Sequence, residues 1–182
     1  MPNPPRKKAK KKTSTRKPAA AKGKAKARPG GRKVHTLEVF LIGGPMTEEF
    51  HGKTISRTIQ ICGDQTLAVL HRAIFAAFDR EEEHLYEFQL GKGPMDPKGP
   101  RYTPRGVVGT DEHDAVNGHA EDTKLDDLKL KVGRAFGYWF DYGDDWMHQI
   151  DVVSIEDPPA RGRFPKITAR VGKSPPQYPD PN

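Results

Sequence analysis

The distribution of charge constrains this chain more than any other feature. All fourteen Lys and Arg of residues 1–33 stand without one Asp or Glu among them, so that stretch carries +14. The remaining 17 of the chain's 31 basic residues face all 24 acidic ones in residues 34–182, a net of −7. The overall +7 therefore averages two opposite objects. Every Leu, Ile, Val and Phe also lies beyond residue 33, 35 of 149 residues or about 23%, above the roughly 20% below which a highly charged chain tends to stay unfolded. Residues 34–182 can bury a modest core. Residues 1–33 read as a disordered Lys/Ala/Pro-rich tail, because like charges repel and no apolar periodicity exists to offset the entropy of ordering.

Several classes fall at once. The longest nearly apolar stretch, Val39 to Met46, is far below the roughly 18 residues of a spanning helix, and the N-terminus lacks the apolar middle of a secretory signal. The expectation is a soluble intracellular protein with no membrane partner, in the cytoplasm, and at the nucleoid if the tail holds DNA. Cys62 is the only cysteine, which excludes an internal disulfide and a Cys-based zinc cluster. A metal site would need His, Asp and Glu.

Order is expected from Val34, where Leu37, Val39, Phe40, Leu41 and Ile42 run into Gly43-Gly44-Pro45, a strand followed by a turn. Ile55, Arg57, Ile59 and Ile61 alternate with Ser56, Thr58 and Gln60, the pattern of a half-buried strand able to pair with the first. From Thr66, a candidate N-cap, the period changes. Leu67, Leu70, Ile74, Phe75 and Phe78 recur at helical spacing, which predicts an amphipathic helix over 67–78. A third strand is predicted over 84–90, then a long irregular loop over 91–123, which loses all pattern. A helical turn near Leu125 to Leu128 precedes the aromatic run Phe136, Tyr138, Trp139, Phe140, Tyr142. Gly143-Asp144-Asp145 supplies hairpin chemistry, and Trp146, Ile150, Val152 and Ile155 form the returning strand; past Asp157-Pro158-Pro159 the chain reads as Gly/Pro-punctuated to its end. The order implies an α+β domain over 34–182, a β-grasp-like mixed sheet with one main helix packed across it.

Three stretches also occur in a recognisable order: Thr66 to Ile74 (TLAVLHRAI), His84 to Phe88 (HLYEF) and Phe136 to Ile150 (FGYWFDYGDDWMHQI). Together they resemble the plasmid pRiA ORF-3-like family, whose pattern runs T-L-x-x-L-H, H-L-x-x-F, then Y-x-F-D-[FY]-G-D-x-W-x-H-x-I. Val171-Gly172-Lys173-Ser174-Pro175-Pro176-Gln177-Tyr178 is similar to its G-x-x-P-P closing motif. The resemblance covers roughly 36–180 and leaves the tail outside. It implies a β-grasp-like α+β domain and a setting on plasmids, on bacterial chromosomes and beside mobile elements. It carries over no established activity, so function has to come from sites.

The strongest chemical signal is the tail. Arg6, Lys7, Lys8, Lys10, Lys11, Lys12, Arg16, Lys17, Lys22, Lys24, Lys26, Arg28, Arg32 and Lys33 form a polycation that would bind nucleic acid by releasing condensed counterions. With no aromatic residue to stack on bases and more Lys than Arg, selectivity should be weak. The competing accounts are a solubilising extension, or a tail folded back on the acidic domain. The second signal is Asp141, Asp144, Asp145 and His148, with His84 and His71 as neighbours if the fold allows. Such a group could serve a metal-dependent hydrolase or nuclease. Against it, Gly143-Asp144-Asp145 is what a tight turn wants. His71, on the border of the helix's apolar stripe, reads as a hydrogen-bonded core histidine. The loop group Asp111, Glu112, His113, Asp114, His119, Glu121 and Asp122 reads as solvated. Alternation sends Tyr138, Phe140 and Tyr142 to one sheet face and Trp139 to the other, where the segment around Pro175, Pro176 and Tyr178 is expected to cover it.

Enzyme motifs are missing. No His is followed by Arg three residues on, as a tyrosine recombinase needs, and no Walker loop, Gly-x-Ser-x-Gly or His-Glu-x-x-His occurs. The expectation is a non-catalytic interaction module, without cofactor or metal, that meets a protein partner through its folded domain and nucleic acid through residues 1–33.

Overall fold

The computed structural model describes residues 1, 32–94, 96, 98–107 and 116–179. Of the basic series only Arg32 and Lys33 fall inside that set; the tail from Arg6 to Arg28, and Asp111, Glu112, His113 and Asp114, lie outside the described residues. The described residues form the α+β arrangement expected, one eight-stranded sheet with a single α-helix among them. The strands are β1 (Val34–Gly43), β2 (Ser56–Cys62), β3 (Tyr86–Gln89), β4 (Arg101–Thr103), β5 (Gly118–His119), β6 (Ala135–Phe140), β7 (Trp146–Glu156) and β8 (Lys166–Val171), and the helix is α1 (Leu67–Ala77). Across the sheet they run β5-β4-β3-β6-β7-β1-β2-β8. All neighbours are antiparallel except β4 and β5 at one edge.

The period-two residues do what their spacing implies. Leu37 and Val39 of β1, Ile59 and Ile61 of β2, Phe88 of β3, Phe136, Tyr138 and Phe140 of β6, and Ile150 and Val152 of β7 are all buried. Against them lie Leu67, Leu70 and Ile74 of α1, three residues on one helical stripe. Apolar burial on one face thus fixes the register of every central strand.

Both helix ends are finished from elsewhere in the chain. Thr66 holds the N-cap backbone geometry but makes no side-chain cap. The amides of Leu67 and Ala68 instead donate to the carbonyls of Thr123 and Ala120, each at 2.9 Å. At the other end no basic residue lies in the last turn. The Ala77 carbonyl accepts from Arg57 Nε at 2.7 Å and from Arg170 Nη1, both arginines reaching in from the sheet.

Two regions depart from the sequence reading. The loop 91–123 contributes β4 and β5, too short to show a period. Backbone and side-chain bonds of Asn117 to Arg101, and an Arg101 Nε bond of 3.0 Å to Glu87, hold β4 in place. The stretch after Pro159 contributes β8, a nearly fully exposed edge strand. Its bulge against β2, with Pro165 before it and Lys166 and Arg170 along it, blunts the edge against pairing with another chain.

Candidate functional site

The hairpin between β6 and β7 places the Asp/His group. Asp141 and Asp145 both take left-handed backbone, φ 59° and 56°, a conformation Asp tolerates better than most residues. Asp141 spends itself on the turn. Its Oδ1 accepts from the Gly143 amide at 3.1 Å, and its carbonyl accepts from the amides of Asp144 and Asp145 at 3.2 and 2.7 Å. Asp145 is exposed and Asp144 half-buried at the tip, whereas His148 is buried on the helix side of β7. Among the described residues no three His, Cys, Asp or Glu side chains gather as a metal-holding group.

The left-handed Asp141 has a second effect. It turns Tyr142 away from the Tyr138 and Phe140 face, so that Tyr142 packs on Trp139 with ring centroids 4.5 Å apart. The expectation that Tyr142 shares the helix face is corrected by this twist. The expectation for the C-terminal segment is corrected as well. Ser174 to Tyr178 form a strap on the helix side, not over Trp139. Arg57 Nη2 donates to Ser174 Oγ at 2.6 Å; Gln177 Oε1 accepts from the Glu81 and Glu82 amides at 2.8 and 3.0 Å, and Gln177 Nε2 donates to the Glu82 carbonyl at 2.9 Å.

Under and beside that strap the family-motif residues converge in two linked groups. In the first, His71 is stacked on Tyr86 at 3.7 Å, its Nδ1 2.8 Å from Tyr138 Oη and its Nε2 2.9 Å from Glu83 Oε2. Burial lowers the His71 pKa, against the pull of Glu83, and burial raises that of Tyr138 well above the usual phenol value. The consistent protonation state is therefore neutral imidazole donating from Nε2 to Glu83 and accepting the Tyr138 proton at Nδ1. His71 is the bonded core histidine its position implied. At the rim, His84 Nε2 lies 2.7 Å from Tyr178 Oη and 3.5 Å from Asp141 Oδ2.

The second group is Arg80, Trp146 and His148. The Arg80 guanidinium lies 3.6 Å over the Trp146 ring, although Arg80 is only 7% exposed. Trp146 reaches this position because Gly44, at φ +142°, has no side chain; a Cβ there would stand 2.3 Å from Trp146 Cε3. His148 is fully enclosed, edge-on to Phe78 at 4.9 Å. Burial first, and the Arg80 charge second, push its pKa down to about 3, so the ring is neutral at physiological pH. Burial also lowers Arg80 to about 10, which leaves it charged. Among the described residues, Arg80 Nε and Nη2 and Trp146 Nε1 are buried without a hydrogen-bond partner, whereas the His148 ring faces the backbone of Tyr138 and Trp146.

Sequence reasoning singled out His71, Asp141, His148 and Tyr178 but passed over Arg57, Arg80 and Gln177. Arg57 carried a signal, a charge on the apolar face of an alternating strand. Arg80 carried none, since it stands in an acidic turn and is enclosed by a strap 95 residues on.

The chain belongs to the plasmid pRiA4b ORF-3-like family, whose model matches residues 48–178. The fold is similar to the crystal structure of MM3350, a protein of unknown function from Methanosarcina mazei Go1. The TM-score is 0.63 and the identity 25%, over 82% of this chain and 75% of that one. None of the curated proteins matches. Among the described residues no helix is long and apolar enough to cross a membrane.

Proposed function

We propose that the chain acts as a non-catalytic interaction module, with the basic segment of residues 1–33 attaching it to nucleic acid with weak sequence selectivity and the folded part meeting a protein partner. The observation that carries this reading is charge segregation: +14 in residues 1–33 against −7 in the rest. At the root of the basic segment, Arg32 pairs with Asp64 at 3.0 Å and Lys33 with Asp157 at 2.7 Å, all four side chains about half exposed or more than 40% so. Exposed pairs of this kind contribute little and are screened by salt, so a phosphate backbone competes readily for the same cations. The spent Asp141 carboxylate and the enclosed His148 support the non-catalytic half of the proposal.

Binding of a mixed-sequence duplex, followed by gel shift at several salt concentrations, tests it. The expected log–log slope is steeper than about −5, at roughly −0.9 per phosphate neutralised, with little change between duplex sequences. Removing residues 2–31 should abolish the shift while leaving the melting transition nearly unchanged. Equal binding by the shortened chain would overturn the assignment.

A further inference from the structure

The Arg80 cluster is a charge enclosed without a matching anion at contact. Burial dominates the lowering of the Arg80 pKa, with Tyr138, Asp141 and Asp79 acting against it, yet neither aspartate forms an ion pair with Arg80 among the described residues. Among the described residues Arg80 has one protein acceptor, the Pro175 carbonyl at 3.5 Å from Nη1, the outer limit of a hydrogen bond. The free pair is Nε and Nη2. That pair is the side of a guanidinium that grips a planar carboxylate with two parallel bonds.

The cover over this group is tied down by side chains and not by the sheet ladder. Ser174 to Tyr178 take no part in the sheet, two of the five residues are prolines without an amide to donate, and the strap is held chiefly by the side chains of Gln177, Ser174 and Tyr178. Below it the walls are Trp146, Phe78, Tyr138 and the neutral His148 ring, with one further donor in Trp146 Nε1.

We propose that Arg80 is the receptor for a monoanionic carboxylate, which takes the Nε/Nη2 edge of the guanidinium above Trp146 when the Ser174–Tyr178 strap lifts. The surroundings select the charge. A single arginine balances a single negative charge, and a dianionic phosphate would leave its second charge uncompensated among aromatic rings and near Asp141. The aromatic walls favour an apolar or aromatic body behind the carboxylate. A free organic acid and the C-terminal carboxylate of a protein segment present the same group.

The test uses the full chain, labelled with 15N. Its two tryptophans give two indole signals, and Trp139→Phe identifies the one from Trp146. Sodium benzoate is titrated against benzamide, a short peptide acid against its amide, and inorganic phosphate alongside. A saturable movement of the Trp146 signal with an acid, and none with its amide, is expected; whichever acid saturates lower names the source. Arg80→Lys keeps the charge but loses the fork and should weaken binding by about tenfold, with the Trp146 signal still dispersed as a check of folding. Gln177→Ala releases the strap and should tighten binding severalfold, since the closed state taxes affinity by its population. No saturable movement in the Gln177→Ala chain overturns the proposal. So do equal responses to acid and amide, unchanged binding by Arg80→Lys, and phosphate binding tighter than benzoate.

Discussion

His148 is the clearest single-residue lever on stability. Its proton binds at about 3 in the fold against 6.5 when exposed. Between those values the unfolded chain takes up a proton that the native chain refuses, so acid favours unfolding by about 1.4 kcal/mol per pH unit for this residue alone. The effect is absent above pH 6.5 and complete near pH 3. His35 and His71, lowered by burial, act in the same direction. Urea melts from pH 7 to pH 4 should show the loss, and His148→Phe should flatten the slope by about one proton; an unchanged slope would count against a neutral native His148. Gly44 is the second lever. Replacing it with Ala forces a Cβ into the Trp146 ring and should cost about 3 kcal/mol, with a shift in Trp fluorescence.

Among the elements, α1 depends on distant parts of the chain at both ends. Arg57 reaches the Ala77, Val171 and Gly172 carbonyls and Ser174 Oγ, so it ties the helix end, β8 and the strap to β2. Arg57→Met should lower stability by about 3 kcal/mol, measured by denaturant melts, because several buried acceptors lose a charged donor together. A near-neutral result would mean that Arg170 and water replace it. The elements also show what the sequence could disclose. Long periodic segments, β1, β2, α1, β6 and β7, were legible because one face of each is buried and the apolar spacing records it. The edge strands β5 and β8, and β4 beside β5, were not, since their places depend on Glu87, Asn117 and β2 rather than on apolar patterns of their own. At the site, His71 and the Asp141 turn followed from local chemistry. Arg80 did not, because what encloses it is the strap and the Trp146 ring, both far away in sequence.

For the whole molecule, the sheet order governs when structure can appear. β1, the earliest strand, sits between β2 and β7, and its longest ladder joins Val34 to Glu156. Pairings of that separation close late and fold slowly, on the order of milliseconds to seconds. Stopped-flow refolding by Trp fluorescence should give rates in that range; microsecond folding would mean that the β1–β2–α1 part forms without β7. Ribosome-bound chains ending before Trp146 would display one flank of β1 with its backbone amides and carbonyls unpaired. During synthesis this protein thus passes through a sticky interval lasting until most of its length has emerged, and escape from aggregation then rests on chaperone cover and elongation speed as much as on the finished fold.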